Sequence, residues 1–189
     1  VVIHEYSHAF MAFKLGDNTA KRLGRLSLNP IVHLDWIGSV FFPLFCLILL
    51  PDFLFAWAKP VPVQMERFKR PLFDMMLVAF SGPLSNVLMA GVGSLLLSFL
   101  WYFELNFVIL LTVIQLFVQV NILLFVFNLL PIFPLDGSYL ILCLLGNRLQ
   151  KFQYYYKTYG ILILFGLVYF GYLNQILLFF LIPMNQLFL

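Results

Sequence analysis

The sequence predicts an all-α polytopic membrane bundle, with a short surface β-hairpin or strand after the first helix and a re-entrant hairpin beyond it. Three observations lead there. Of 189 residues, 63% are hydrophobic and 10% charged, against about 45–50% and about 25% in soluble domains. The mean hydropathy is +0.99. Apolar runs long enough to cross a bilayer recur along the chain. So few charges cannot build a water-facing surface, so the solvent is largely lipid. Each apolar segment needs neighbours, so residues 1–189 are expected to form a single membrane-embedded domain. The chain opens Val1-Val2-Ile3, with no Met and no signal-peptide n-region; the front of the first helix is expected to lie upstream, leaving the domain N-terminally incomplete.

Residues 1–15 read as the tail of a helix ending at Lys14 and Gly16. Residues 17–37 are polar and turn-rich, and the alternation over 21–28 predicts a short strand or hairpin at the membrane surface. Residues 38–58 are apolar but interrupted by Pro43, Pro51 and Asp52. Ser81-Gly82-Pro83 has the form of a helix start, with a serine cap and a proline in the first turn, and that helix runs to about Trp101. Gly91, Ser94 and Ser98 make a small-residue stripe on it. Residues 105–130, about 26 in number, are the cleanest span. Pro131 and Pro134 break it, and Asp136-Gly137 begins a short helix. The stretch 148–159 is basic and aromatic, with Tyr154, Tyr155, Tyr156 and Tyr159 as an interface belt, and 161–182 is the last span.

The net charge of +3 is too small and too scattered for nucleic acid. Its placement is informative. Lys and Arg occur only within 14–25, 59–70 and 148–157, while the turn near 102–106 holds only Glu104. If 38–58 re-enters with its tip at Pro51-Asp52, every basic residue falls on one side, as the positive-inside rule requires; a full, kinked crossing divides them. Cys46 and Cys143 lie in apolar runs, so packing rather than a disulfide is expected.

The chemistry begins at His4-Glu5-Tyr6-Ser7-His8, an H-E-x-x-H pattern in a helical segment. Spacing i, i+4 stacks both imidazoles on one face, one turn apart, where they can grip one Zn²⁺. The adjacent glutamate reaches a water at the metal as general base. Burying Glu5 in an apolar segment costs about 2.5–3.5 kcal/mol, which coincidence does not offset. For the third ligand, a metzincin continuation needs Gly and His where Met11 and Lys14 stand. Glu66 and Glu104 sit in charged or turn contexts. Asp136 is the better candidate: a carboxylate in a proline-broken apolar run, with no basic neighbour in sequence, requires a cation. Its alternative role is the N-cap of the helix that follows.

Three motifs together, His4-Glu5-x-x-His8, then Gly82-Pro83-x-x-Asn86, then Asn128-x-x-Pro131-x-x-Pro134-x-Asp136-Gly137, resemble the site-2 protease family of intramembrane zinc metallopeptidases. The stretches Gly24-Arg25-Leu26-Ser27-Leu28-Asn29-Pro30 and Lys59-Pro60-Val61-Pro62-Val63 resemble its compact prokaryotic branch without PDZ or CBS domains. The resemblance implies a multi-pass protein of the cell membrane and regulated intramembrane proteolysis. It implies one Zn²⁺ per chain on His4, His8 and Asp136, Glu5 activating water, and Asn128 near the metal holding substrate or oxyanion. The partners it implies are the lipid bilayer and a transmembrane protein or peptide substrate. Ser81 replaces the alanine usual before Gly-Pro. Two alternatives stand beside it: a prenyl-protein type endopeptidase, which needs a glutamate as third ligand, and a metal transporter or inactive membrane binder. His33 is read as a loop hydrogen bond rather than a ligand. Asn86 is read either as a substrate contact or as a helix–helix bond, and Gln115, Gln119 and Asn121 chiefly as interhelical contacts.

Overall fold

In a computed structural model, residues 1–49, 57–105, 107–146 and 150–189 are described. They form eight α-helices: α1 Val2–Lys14, α2 Thr19–Arg22, α3 Phe42–Leu49, α4 Pro71–Tyr102, α5 Val108–Leu129, α6 Ser138–Leu145, α7 Gln150–Tyr169 and α8 Tyr172–Phe188. Short 3₁₀ turns at Pro30–His33 and Met65–Arg67, and a π-turn at Trp36–Phe41, join them.

The helices α4 and α5 are the frame. Both are long and apolar enough to cross a membrane, and α7 with α8 makes a third span only if their 82° bend is counted as one broken crossing. Ala90, Leu97 and Leu100 of α4 interlock with Ile114, Val118, Ile122 and Val126 of α5, and α8 lays Leu177, Leu181, Met184 and Phe188 on that seam. Packing is closest at Gly93, where a Cβ would meet Val118 Cγ2 at 2.6 Å. The Gly91, Ser94 and Ser98 side instead faces the end of α8. The outer faces stay apolar: Leu95 is 73% and Ile109 84% exposed. In water such surfaces would drive association; in hydrocarbon they are at home.

The helix α1 packs along α4, with Ala12, Phe68 and Val78 as the core of the contact. Asp17, fully buried just past α1, holds this end together. It accepts from the N–H of Thr19 at 2.9 Å and of Gln64 at 2.7 Å, takes the Thr19 hydroxyl, and pairs with Arg67 at 3.7 Å. Burial alone would raise the Asp17 carboxyl. The Gln64 N–H, the Thr19 groups and Arg67 outweigh it and hold the pKa below the usual carboxylate value.

The structure corrects three expectations. Among the described residues there is no strand, and 21–28 is a helical turn followed by a loop. The N–H groups of Leu23, Gly24 and Arg25 close back on Thr19, Lys21 and Ala20, with Gly24 at φ 68°, so α2 consumes the donors a strand edge would need. Second, α4 begins at Pro71, ten residues before the Ser81-Gly82-Pro83 signal. Ser81 does not cap; its hydroxyl donates back to the Val78 carbonyl at 2.6 Å, and Pro83 sits inside the helix. Third, the last span is broken after Tyr169, at Gly171 with φ 75°. The tip assigned to Pro51-Asp52 lies outside the described residues. The free cysteines agree with the sequence reading.

Asp17 gives a pH test. A carboxyl whose folded pKa is depressed stabilises the fold above its unfolded pKa and loses that contribution as pH falls through the lower folded value. The thermal stability gap between the protein and Asp17→Asn should be widest above pH about 4 and should close below it. A gap that does not change with pH would refute this assignment.

Candidate active site

Three elements bring the site together. The first turns of α1 present His4 and His8, both buried. The middle of α4 lies across from them, and here a side chain would obstruct. A Cβ on Gly82 would stand 2.4 Å from His8 Nε2 and 2.7 Å from His4 Cε1. Only glycine leaves room for both rings. Next to it, Pro83 has no N–H for the carbonyl four residues back, which loosens the helical ladder there. The Val78 carbonyl accepts both Ser81 and His8 Nδ1, the latter at 2.7 Å.

Asp136 arrives on the loop between α5 and α6. After Leu129 the prolines end the helix, and tight turns carry the chain round through Leu135 N–H to Ile132 and Ser138 N–H to Leu135. The Gly137 N–H donates to the Asn128 carbonyl at 2.7 Å. A Cβ on Gly137 would meet the Leu129 carbonyl oxygen at 2.2 Å, so this loop also needs glycine. The helix α6 has no side-chain cap at its start. The N-cap alternative for Asp136 is therefore not what the carboxylate does; it turns toward the imidazoles.

The convergence is tight. Asp136 Oδ2 lies 3.2 Å from His4 Nε2 and 3.3 Å from His8 Nε2, and the two Nε2 atoms are 3.0 Å apart. Tetrahedral Zn²⁺ with bonds of about 2.0–2.1 Å sets its ligand atoms ~3.3 Å apart, so these three atoms could hold one ion. Asp136 Oδ2 is buried with no hydrogen-bond partner. His8 gives its Nδ1–H to Val78, so its Nε2 presents a lone pair to that carboxylate oxygen. A cation satisfies both. Among the described residues this is the one group of three such side chains; Glu66 and Glu104 are exposed elsewhere.

Glu5 and Asn128 line a cavity of 410 Å³ that opens on these ligand atoms, together with Val61, Leu124, Phe127 and Tyr139. The Asn128 amide donates one N–H to Leu124 at 2.9 Å, leaving a second N–H and its oxygen. All five residues singled out from the sequence thus meet at one place. His33 is buried and bonds the Ser27 carbonyl at 2.7 Å, as a loop histidine should. Asn121 is spent on its own helix at Phe117, and Gln115 and Gln119 are exposed.

Sequence reasoning left Asn86 open, and the structure decides it. Asn86 is 1% exposed and its Nδ2 lies 3.0 Å from His4 Nδ1. In that orientation the amide donates to Nδ1; a half-turn lets its oxygen accept the Nδ1–H and frees Nε2 for an ion. The signal was its place one helical turn beyond Gly82. Asn86→Ala should weaken the site's hold on zinc by about 10–100-fold in chelator competition, as loss of an outer-shell partner does. Gly82→Ala should displace both rings and abolish it, while Gly91→Ala, whose Cβ meets only Phe188 at 3.8 Å, should bind normally. Equal zinc affinity in all three would contradict this geometry.

Comparison with known proteins shows the family. The family described as Peptidase family M50 matches residues 103–169, which include Asn128 and Asp136. A Bacillus subtilis (strain 168) protein named "Putative zinc metalloprotease YwhC" is 37% identical over 166 residues, covering 85% of this chain and 72% of the relative. No solved structure matches. A family match across the Asp136 loop and a relative that extends over most of the chain place this membrane protein in peptidase family M50, the site-2 protease family, as a zinc metalloprotease.

Proposed function

We propose that the protein is an intramembrane endopeptidase that hydrolyses peptide bonds within or near transmembrane segments of other membrane proteins. It would act as a multi-pass protein of the cell membrane in regulated intramembrane proteolysis. The observation that carries this reading is that Glu5 and Asn128 share one cavity with the His4, His8 and Asp136 cluster, in a chain whose outer helix faces are apolar. In this reading one Zn²⁺ per chain is held by His4, His8 and Asp136. Bound there, it supplies Lewis acidity toward a water and a carbonyl oxygen.

The chain's own residues do the rest. Glu5 takes a proton from the attacking water and later returns one to the leaving amine. The free N–H of Asn128 steadies the developing oxyanion, a role in which a fixed donor in a water-poor site is strongly stabilising. Val78 and Asn86 fix the tautomers of His8 and His4.

A transmembrane helix locks its carbonyls in its own hydrogen bonds, so the substrate must unwind locally. The 21–28 region cannot receive it, being helical and looped. Residues 57–64, irregular and on the cavity wall, are better placed. Prolines 60 and 62 drive Lys59 and Val61 toward extended backbone. The N–H groups of Val61 and Val63 make no bond among the described residues, so they remain for a substrate strand. The glutamate-ligand alternative has no support, because Glu66 and Glu104 lie away from the cluster. The match to peptidase family M50 and to a relative named as a zinc metalloprotease favours a peptidase over a transporter.

Glu5→Gln should retain zinc yet lose about 10²–10⁴-fold in cleavage of a single-span substrate in vesicles, the span attributed to a general base. Cleavage at an undiminished rate with zinc retained would exclude Glu5 as the base.

A further inference from the structure

One wall of the site cavity, residues 57–64, has no regular secondary structure of its own, yet Trp57, Ala58, Pro60, Val61 and Val63 all line the cavity. Its position therefore comes from elsewhere. The bonds that hold it lead back to the loop that follows α1. The Trp57 N–H donates to Gly38 at 3.1 Å, the Lys59 N–H to His33 at 3.0 Å, and the Gln64 N–H to Asp17 at 2.7 Å.

The Ser39 hydroxyl also donates to the Trp57 carbonyl at 2.8 Å. A further anchor is Arg25. It is 6% exposed, and among the described residues no carboxylate pairs with it. One guanidinium nitrogen donates to the Val32 carbonyl; the other donates to the Lys59 carbonyl and, at 3.3 Å, to the Pro60 carbonyl. Its Nε has no partner among the described residues. A buried cation without a counter-ion is unfavourable unless its donors are well used. Here two arms of one planar fork are used to join the loop to two successive carbonyls of the wall. A lysine, with a single ammonium on a flexible stem, cannot reproduce that fork.

We propose that Arg25 is a positioning residue: by fixing the Lys59 and Pro60 carbonyls it sets the cavity wall at the distance from the metal cluster that an unwound substrate backbone requires. This rests on the peptidase reading above. Arg25 neither contacts the cluster nor lines the cavity; its donors go to the Val32, Lys59 and Pro60 carbonyls. Its effect should fall on substrate binding and leave the chemical step and the metal alone, whereas a merely structural arginine would lower all three together.

Two measurements test it. In the first, Arg25→Lys and Arg25→Gln are assayed on a single-span substrate in vesicles. KM should rise about tenfold, within what a misplaced positioning element costs, while kcat and zinc content change less than about twofold. In the second, Val61→Cys is introduced with Cys46→Ala and Cys143→Ala, and its rate of alkylation by N-ethylmaleimide is compared with and without Arg25→Lys. The rate should change several-fold as the wall shifts. An unchanged alkylation rate with an unchanged KM overturns the proposal. So does a fall in kcat in step with zinc loss, or failure of both Arg25 variants to fold, since each makes Arg25 a support of the whole domain. If the unsubstituted protein cleaves no substrate, the peptidase reading fails, and the alkylation measurement still decides the role of Arg25.

Discussion

The structure turns on the close meeting of two imidazole nitrogens and one carboxylate oxygen, three atoms that one cation could bind together. His8 donates its Nδ1 proton to Val78, so Nε2 points a lone pair at Asp136 Oδ2, 3.3 Å away. His4 Nε2 is 3.2 Å from the same oxygen. One imidazole proton can bridge a single pair in this triangle; a divalent ion serves all three atoms at once. In a medium this poor in water, leaving a buried carboxylate oxygen unpaired is expensive. The surrounding features follow from that need. Gly82 removes the side chain that would occupy the rings' space, Gly137 lets the Asp136 loop fold onto the end of α5, and Asn86 and Val78 hold the rings from behind. The helices α4 and α5 supply the rigid frame on which these pieces are mounted.

The helix α4 has two jobs, and its sequence divides between them. Near its start Pro71, Asp74 and Val78 belong to the α1 contact and the polar end; farther on Ala90, Gly93 and Leu97 belong to the α5 seam. Between them, Ser81, Gly82, Pro83, Ser85 and Asn86 are all buried in the lower half of an apolar helix. The two serines satisfy themselves on carbonyls three residues back, at Val78 and Gly82. This is how a helix can carry polar groups at a site without leaving unpaired donors in the bilayer.

Much of the site was legible because its chemistry is local. His4 and His8 share a face by helical spacing alone, and Asp136 stood out as an acid with no neighbour to justify it. The role of Asn86 was not legible, since it depends on how α1 crosses α4, and no periodicity encodes an 82-residue separation. The alternation over 21–28 misled because it was weak beside Gly24, which takes a left-handed conformation, and Arg25, which turns inward to carbonyls. Ser81-Gly82-Pro83 imitated a helix start because a serine before Gly-Pro can cap; embedded in an apolar run, it bonds backward instead. The break at Gly171 escaped hydropathy, because the bent pair taken together is long and apolar enough to read as one span.

The central claim is that one zinc ion is held by two imidazoles and the Asp136 carboxylate. X-ray absorption at the zinc edge of the purified protein tests it most directly. The account requires one zinc per chain in a shell of nitrogen and oxygen at about 2.0–2.1 Å, altered by Asp136→Ala. A sulfur shell at about 2.3 Å, or a spectrum indifferent to that substitution, would contradict it.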